Sequence, residues 1–522
     1  MTLARAHAAA LVGVQGHAVE VEADLAQGLP TFVLVGLPDT ALSEARDRVR
    51  AAVVNSGESW PARRITVSLS PAALPKRGSG FDLPIAVAVL AAAGGLPMAQ
   101  LEGMALMGEL GLDGQVRPVR GVLPSVLALA EAGVDRVVVP AANAAEAQLV
   151  PDVRVLPVRS LRQLVAVLRG EEKLDSAESS TPDAGAALSA AGEGCAGGDG
   201  LDLADVLGQS AARTALEVSA AGGHHLFLYG PPGTGKTMLA ERLPGLLPAL
   251  DRPAALEVTT IHSVAGTLPP DRPLMTRPPF HGPHHTATLP AIVGGGSGIV
   301  RPGAVSLAHR GVLFLDEAPE FASGVLDALR QPLECGEVVI ARAHTTARFP
   351  ARFTLVLAAN PCPCGRADDT AGGAGDACNC TPHARIRYLG RLSGPLLDRV
   401  DLRMAMRQVS RADMISDRLH VEPTHVVAAR VAAARERAVG RLAGTPWRTN
   451  AEVASRELRR GWAPRSGALR SVERLLEVGA LTARGVDRVV RVAWTLADLA
   501  GRDRPGIDEV DTAVALRQGR AA

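Results

Sequence analysis

The sequence predicts an α/β protein of about three domains, the last of them helical. Three observations carry this. Strand-like and helix-like patterns alternate over residues 1–169, a glycine-rich loop joins an apolar run to a helical pattern near residue 230, and arginine-rich helical periodicity dominates after residue 408. A chain of 522 residues is long enough for each part to bury its own core.

In the first part, "FVLVGL", "ITVSLS" and "RVVVP" have the β-branched, apolar character of strands, and "SEARDRVRAAVV" and "LPIAVAVLAAAG" have helical spacing. Residues 170–200 follow, with seven acids, one lysine and no apolar period, the composition of a flexible linker in which Cys195 is incidental. A second α/β domain spans 201–408. The remainder, 409–522, contains "THVVAARVAAARERAVGRL" and "RSVERLLEVGALTARGVDRVVRVAWTLADLAG", which place a helical domain there.

Composition narrows the function classes. The formal net charge of +1 excludes a bulk polyelectrolyte, although residues 381–522 hold 26 arginines against 16 acids. No run of eighteen apolar residues marks a membrane span, and "MTLARAHAAALVGVQGH" is too broken for a signal peptide, so a soluble cytoplasmic protein is expected. Six cysteines are too few for a disulfide scaffold, and four of them cluster between 362 and 380, which points to metal in a reducing compartment. Aromatic residues at 3 % argue against a nucleic-acid site built from stacking platforms.

The stretch "GPPGTGKT" contains Lys236, one of three lysines beside 52 arginines. A lysine ammonium is a compact charge on a slim stem and enters a loop of backbone amides that a guanidinium cannot. The pattern is that of a P-loop comprising Gly230, Pro231, Pro232, Gly233, Thr234, Gly235, Lys236 and Thr237. Its amides and lysine hold the phosphates of a nucleoside triphosphate, and its hydroxyl holds Mg²⁺. "HLFLY" before it reads as a buried strand and "TMLAERL" after it begins a helix whose N-terminus faces the phosphates. Downstream, "GVLFLDEAPEF" ends a buried strand in Asp316, assigned to Mg²⁺, and Glu317, assigned as general base; alone, two acids at a strand end would be solvated charges. "FTLVLAAN" ends another strand in Asn360, whose amide can position the attacking water. "SGPLLDRVDL" and "LTARGVDR" supply Arg399 and Arg484.

This order of motifs resembles the AAA+ ATPases of the helix-2-insert group, which includes magnesium-chelatase motor subunits and MCM helicases. The resemblance implies that Arg399 is an arginine finger reaching a neighbouring subunit's γ-phosphate, that Asn360 is sensor 1 and that Arg484 is sensor 2. "FHGPHHTATLPAIVGGG", "RPGAVSLAHRGVLFLDE" and "AANPCPCG" are similar more narrowly to the magnesium-chelatase-like competence proteins of the ComM/YifB type, over nearly the whole chain except the linker. "PPFHGPHH" departs from that pattern around its phenylalanine. The resemblance implies a ring, taken as a homo-hexamer, with ATP and Mg²⁺ as cofactors and DNA as partner.

Two insertions stand out. Residues 259–303 form a Gly-, Pro- and His-rich stretch expected to be a long functional loop. "EVVIARAHTTARFP" reads as a hairpin, which in a ring would face the pore and offer Arg342, His344 and Arg348 to phosphates; the other reading is a solvated hairpin with ordinary charges. Cys362, Cys364, Cys378 and Cys380 form two close pairs suited to a structural Zn²⁺ site, with redox thiols or an iron–sulfur cluster as alternatives and His383 as either a substitute ligand or a surface residue.

In the N-terminal part, "LMGELGLDGQVRPVRGVLPSVLALAEAGVDRVVVP" and "LPKRGSGFDLPIAVAVLAA" resemble the proteolytic domain of Lon-type proteases. The resemblance places its nucleophilic serine on Gly80 and its catalytic lysine on Leu123; neither side chain can perform acyl transfer, and the adjacent Ser79 has no lysine at the partner position. The implied fold is a Lon-protease-like α/β domain without its dyad, a P-loop AAA+ domain with helix-2 insert and pre-sensor-1 hairpin, and a helical lid. Three function classes follow: an ATP-driven DNA translocase or helicase acting in branch migration during natural transformation, a chelatase-type motor, and a protein remodeller or protease.

Overall fold

A computed structural model describes residues 2–39, 42, 44–172, 200–269, 271–296, 300–342, 346–366, 378–418 and 420–519. Most of the expected linker, with Cys195, and His344 of the hairpin lie outside these residues.

The chain opens with β1 (Thr2–Val12) and β2 (Gln15–Ala26), followed by β3 (Thr31–Val35), α1 (Ala45–Asn55), β4 (Arg64–Ser70) and α2 (Asp82–Ala92). Next come β5 (Met104–Leu106), the short antiparallel pair β6 (Glu109–Leu110) and β7 (Val116–Arg117), α3 (Val122–Glu131), β8 (Arg136–Pro140), β9 (Arg154–Val158) and α4 (Leu161–Arg169). Seven strands form one mixed sheet in the order β3-β4-β2-β1-β5-β8-β9. The alanine-rich opening is a strand because its alanines alternate: Ala4, Ala6, Ala8 and Ala10 are buried, opposite Ala23, Val21, Val19 and His17 of β2. Helix α2 is buried along its whole length, as its apolar run Leu83–Ala92 requires, and its first residue, Asp82, is buried against Arg48 at 2.9 Å.

The second sheet is parallel throughout. α5 (Ser210–Gly222) leads into β10 (Leu226–Tyr229), α6 (Lys236–Leu246) and α7 (Arg252–Ala265). Then follow β11 (Phe280–His281), the pair β12 (Gly294–Gly295) and β13 (Arg301–Pro302), β14 (Val312–Leu315), the hairpin β15 (Glu337–Ala341) and β16 (Thr346–Pro350), β17 (Thr354–Ala359), α8 (Pro382–Leu389) and β18 (Leu402–Ala405). The order β11-β14-β17-β10-β18 places β10 between β17 and β18. All four residues of β14 are buried, the pattern of a strand covered on both faces.

The expected loop over 259–303 is more structured than its composition suggests. Its first residues complete α7, which Asp251 caps by accepting the Ala254 N–H at 2.9 Å, and which ends at Gly266 (φ 75°). Phe280 of β11 stacks on Phe314 of β14 at 5.9 Å, so an aromatic pair recruits an edge strand from a Gly-, Pro- and His-rich stretch. The C-terminal part consists of α9 (Thr424–Arg441), α10 (Ala483–Leu499) and α11 (Ile507–Gln518) with shorter helices between them, sharing one core with α5, α6 and the sheet. Among the described residues no helix is long and apolar enough to cross a membrane.

Candidate nucleotide site

In a parallel sheet, loops at the carboxyl ends of the strands form the ligand crevice. Here those ends bring together three segments distant in sequence: the 230–237 loop after β10, Asp316 and Glu317 after β14, and Asn360 after β17. Within the loop the glycines do different work. A Cβ on Gly230 would lie 2.3 Å from the Met406 carbonyl oxygen, so this position serves close backbone packing. Gly233 (φ 77°) and Gly235 (φ 88°) need left-handed backbone and border open space, as a phosphate cradle requires.

Lys236 is 7 % exposed, and its ammonium donates to Gly230 O (2.7 Å), Pro231 O (2.8 Å) and Asn360 Oδ1 (3.0 Å). Burial lowers its pKa, and the fields of Asp316 and Glu317 oppose that shift. Thr237 Oγ1 donates to Asp316 Oδ2 at 2.7 Å, so the two oxygens suited to Mg²⁺ already meet. Asp316 Oδ1 also accepts the Glu317 N–H at 2.9 Å. Glu317 adopts a left-handed conformation (φ 49°, ψ 44°), and one carboxylate oxygen lies 3.1 Å from His285 Nδ1.

Sequence reasoning missed three members of this region. Gln209, in "VLGQ", donates from Nε2 to Thr234 O (3.1 Å) and Arg407 O (2.8 Å), tying the loop to the exit of β18. His285 comes from the insert. Tyr388 is 4 % exposed, interacts with the Asn360 backbone, and is pushed up to about 12 by burial and the field of Glu320. Only "GQ" immediately before a helical pattern was a local signal for any of these.

The two other arginines are not brought to Lys236. Arg399 precedes β18 and lies at the amino ends of the strands, the opposite edge of the sheet from the P-loop. Its guanidinium pairs with Glu334 and donates to Pro395 O at 2.6 Å. Its carbonyl accepts from Arg488 of α10 at 3.0 Å, and Arg488 also pairs with buried Asp401. Arg484 stands exposed in the first turn of α10.

The four cysteine sulfurs lie within 4.8 Å of one another. Cys362 Sγ is 3.2 Å from Cys364 Sγ and 3.6 Å from Cys378 Sγ. A tetrahedron with metal–sulfur bonds of about 2.3 Å has edges of about 3.8 Å, so the sulfur set fits a four-coordinate metal. The Arg366 N–H and the Cys362 thiol hold Cys364 down to about 6, favouring thiolate. The adjoining Gly365 (φ 76°) packs against Pro232 of the P-loop, where a Cβ would come within 2.6 Å.

On the hairpin, Arg348 pairs across the strands with Glu337 at 2.8 Å, and Arg342 donates to Gly296 O. In the N-terminal domain, Gly80 carries no side chain, Leu123 is fully buried, and the Ser79 hydroxyl is bonded to Glu109.

The strand order, the P-loop and the acid and amide at neighbouring strand ends define a P-loop ATPase of the AAA+ class. Comparison with known proteins narrows this. Residues 202–414 match the family described as magnesium chelatase, subunit ChlI, residues 21–143 the subunit ChlI of Mg-chelatase, and residues 421–517 its C-terminal part. The chain is 55 % identical over 521 residues to uncharacterized protein Rv2897c of Mycobacterium tuberculosis, covering 99 % of each. It is 42 % identical over 504 residues to competence protein ComM of Haemophilus influenzae, covering 97 % of this chain and 95 % of that one. A stretch of 154 residues is 28 % identical to the Lon protease of Rhizobium meliloti, covering 28 % of this chain and 19 % of the protease. The chain therefore belongs to the magnesium-chelatase-like ComM/YifB family, whose AAA+ character implies an ATPase that uses ATP and Mg²⁺.

Proposed function

We propose that the chain is a ring-forming, ATP-driven DNA translocase, most simply a hexamer, that acts on branched or single-stranded DNA without sequence preference and promotes branch migration in natural transformation. The observation carrying this reading is the β15–β16 hairpin, which places Arg348 on an exposed face of the domain that holds the nucleotide site. Exposed ion pairs are worth about 0–1 kcal/mol, so Arg348 can exchange Glu337 for a backbone phosphate at little cost. The name of the Haemophilus influenzae relative supports the link to competence.

In the proposed assembly, residues 1–169 form the Lon-like domain, 201–408 the ATPase core and 409–522 the lid. Lys236 and the loop amides hold the triphosphate. Thr237 and Asp316 hold Mg²⁺, which neutralises phosphate charge. Glu317 takes the proton of the attacking water, and Asn360 orients that water. Arg399, on the far edge of its own sheet, serves a neighbouring subunit's site, and Arg484 is a sensor on the lid. Cys362, Cys364, Cys378 and Cys380 hold Zn²⁺ and fix the chain leaving Asn360 against the P-loop.

Replacing Arg342 and Arg348 by Ala tests the reading. Basal hydrolysis and metal content should stay near wild type while DNA-stimulated hydrolysis and strand displacement on forked DNA disappear. Unwinding equal to wild type refutes the hairpin's role. A wild type indifferent to DNA moves the chelatase-type or protein-remodelling motor ahead.

A further inference from the structure

The N-terminal domain carries Gly80 and Leu123 at the positions where the Lon resemblance expects a serine and a lysine, and its packing points to another task. We infer that it braces the β15–β16 hairpin against the nucleotide-binding domain, and that DNA-coupled turnover requires the brace; this second part rests on the DNA reading above.

The first contact is the β1–β2 turn. Gly13 (φ 64°) lies so close to β16 that a Cβ there would come within 3.0 Å of the Arg348 carbonyl oxygen and 3.4 Å of Ala347 Cβ. The next residue, Val14, packs into a small cluster with Val300, Ile340, Ala347 and Phe349, of which Phe349 is fully buried. Register explains which face is covered. Val338 pairs with Phe349 and Ile340 with Ala347, whereas Val339 pairs with Arg348, so alternation sets the covered apolar positions apart from the one carrying Arg348. An isolated two-stranded hairpin is at best marginally stable in water and needs such a cover.

The second contact lies close to the first, since a Cβ on Gly121 would come within 2.2 Å of Leu11 of β1 and 3.5 Å of Val264 of α7. Glu146, 8 % exposed, accepts the Leu123 N–H at 2.8 Å and the hydroxyl of Ser263 on α7. The Gly121 N–H donates to Ser263 O at 3.2 Å, and Arg252 donates to Leu149 O at 3.1 Å. Leu256 of α7 packs against the N-terminal cluster that includes Leu123. Thus the position where the Lon resemblance puts a lysine now lies in a docking surface. Because α7 begins six residues after α6 ends, one domain grips both the vicinity of the P-loop helix and the hairpin.

Hydrogen exchange on the full chain tests the brace, comparing wild type with Val14→Asp, which puts a carboxylate into the apolar cluster. Val14→Ser is the milder variant should the first not fold. Amides of β15 and β16 are expected to exchange about tenfold faster or more, with α6 unchanged. Unchanged hairpin exchange in a folded variant overturns the inference. In the same variants, basal hydrolysis should persist and DNA stimulation should vanish. Faster exchange with DNA stimulation intact refutes the requirement. If wild type itself shows no DNA stimulation, the DNA reading and the requirement fail together, and the exchange result alone still decides the brace.

Discussion

Glu317 is expected to trade stability for activity. At φ 49° and ψ 44° it occupies backbone that costs a non-glycine residue about 1–2 kcal/mol. Its contact with His285 joins side chains that are 48 % and 31 % exposed, which limits the pair to about 1 kcal/mol or less. Glu317→Gly removes the strain and the weak pair, and glycine's greater unfolded-state freedom takes back about 0.5–1 kcal/mol. The net expectation is a change between about −1 and +1.5 kcal/mol in stability, while turnover falls by about 10²–10⁴, the usual contribution of a general base. Denaturant midpoints and ATP hydrolysis at saturating nucleotide measure both. A glycine variant that keeps turnover within tenfold of wild type, or loses more than about 1 kcal/mol, refutes the reasoning. Glu317→Gln should bind ATP normally and fail to turn over, whereas Lys236→Ala should fail to bind.

Arg399→Ala should lower hydrolysis by about 10³, and mixing with Lys236→Ala subunits should restore part of it at interfaces that receive one intact half from each; no recovery in assembled rings places Arg399 elsewhere. Elemental analysis should find about one zinc per chain, lost in Cys378→Ser/Cys380→Ser; the same content in both would reject the four-cysteine site. His225 Nδ1 accepts the Leu355 N–H at 3.0 Å, and burial holds its pKa down to about 4. The unfolded residue titrates near 6.5, so the unfolded chain binds more protons below that pH, and stability from neutral His225 is lost as pH falls from about 6.5 toward 4. Between pH 7 and 5 the loss is about 2 kcal/mol, and a His225→Asn variant should lack that part of the slope in urea titrations at the two pH values.

The candidate nucleotide site was legible as a cluster because its motifs are contiguous, and the sheet only had to bring three strand ends together. "GPPGTGKT", "LFLDE" and "AAN" each announce a strand followed by a functional group. What stayed hidden depends on long-range packing. Gln209 reaches Thr234 across 25 positions, and His285 reaches Glu317 across an insert whose composition suggested a loop. The alanine-rich β1 escaped notice because alanine favours helices, yet here its small side chains pack at alternate positions in a sheet core. Gly80 and Leu123 stand in the sequence where the Lon resemblance expects a serine and a lysine, but nothing local told that Gly13 and Val14 would cover the hairpin.

The most direct test of the DNA motor is ATP hydrolysis by the full chain with and without forked or four-way DNA of random sequence, at increasing salt. The expected result is stimulation that collapses as salt rises, because phosphate contacts release counterions, and that is absent in Arg342→Ala/Arg348→Ala. Hydrolysis that ignores DNA at low salt would contradict the account.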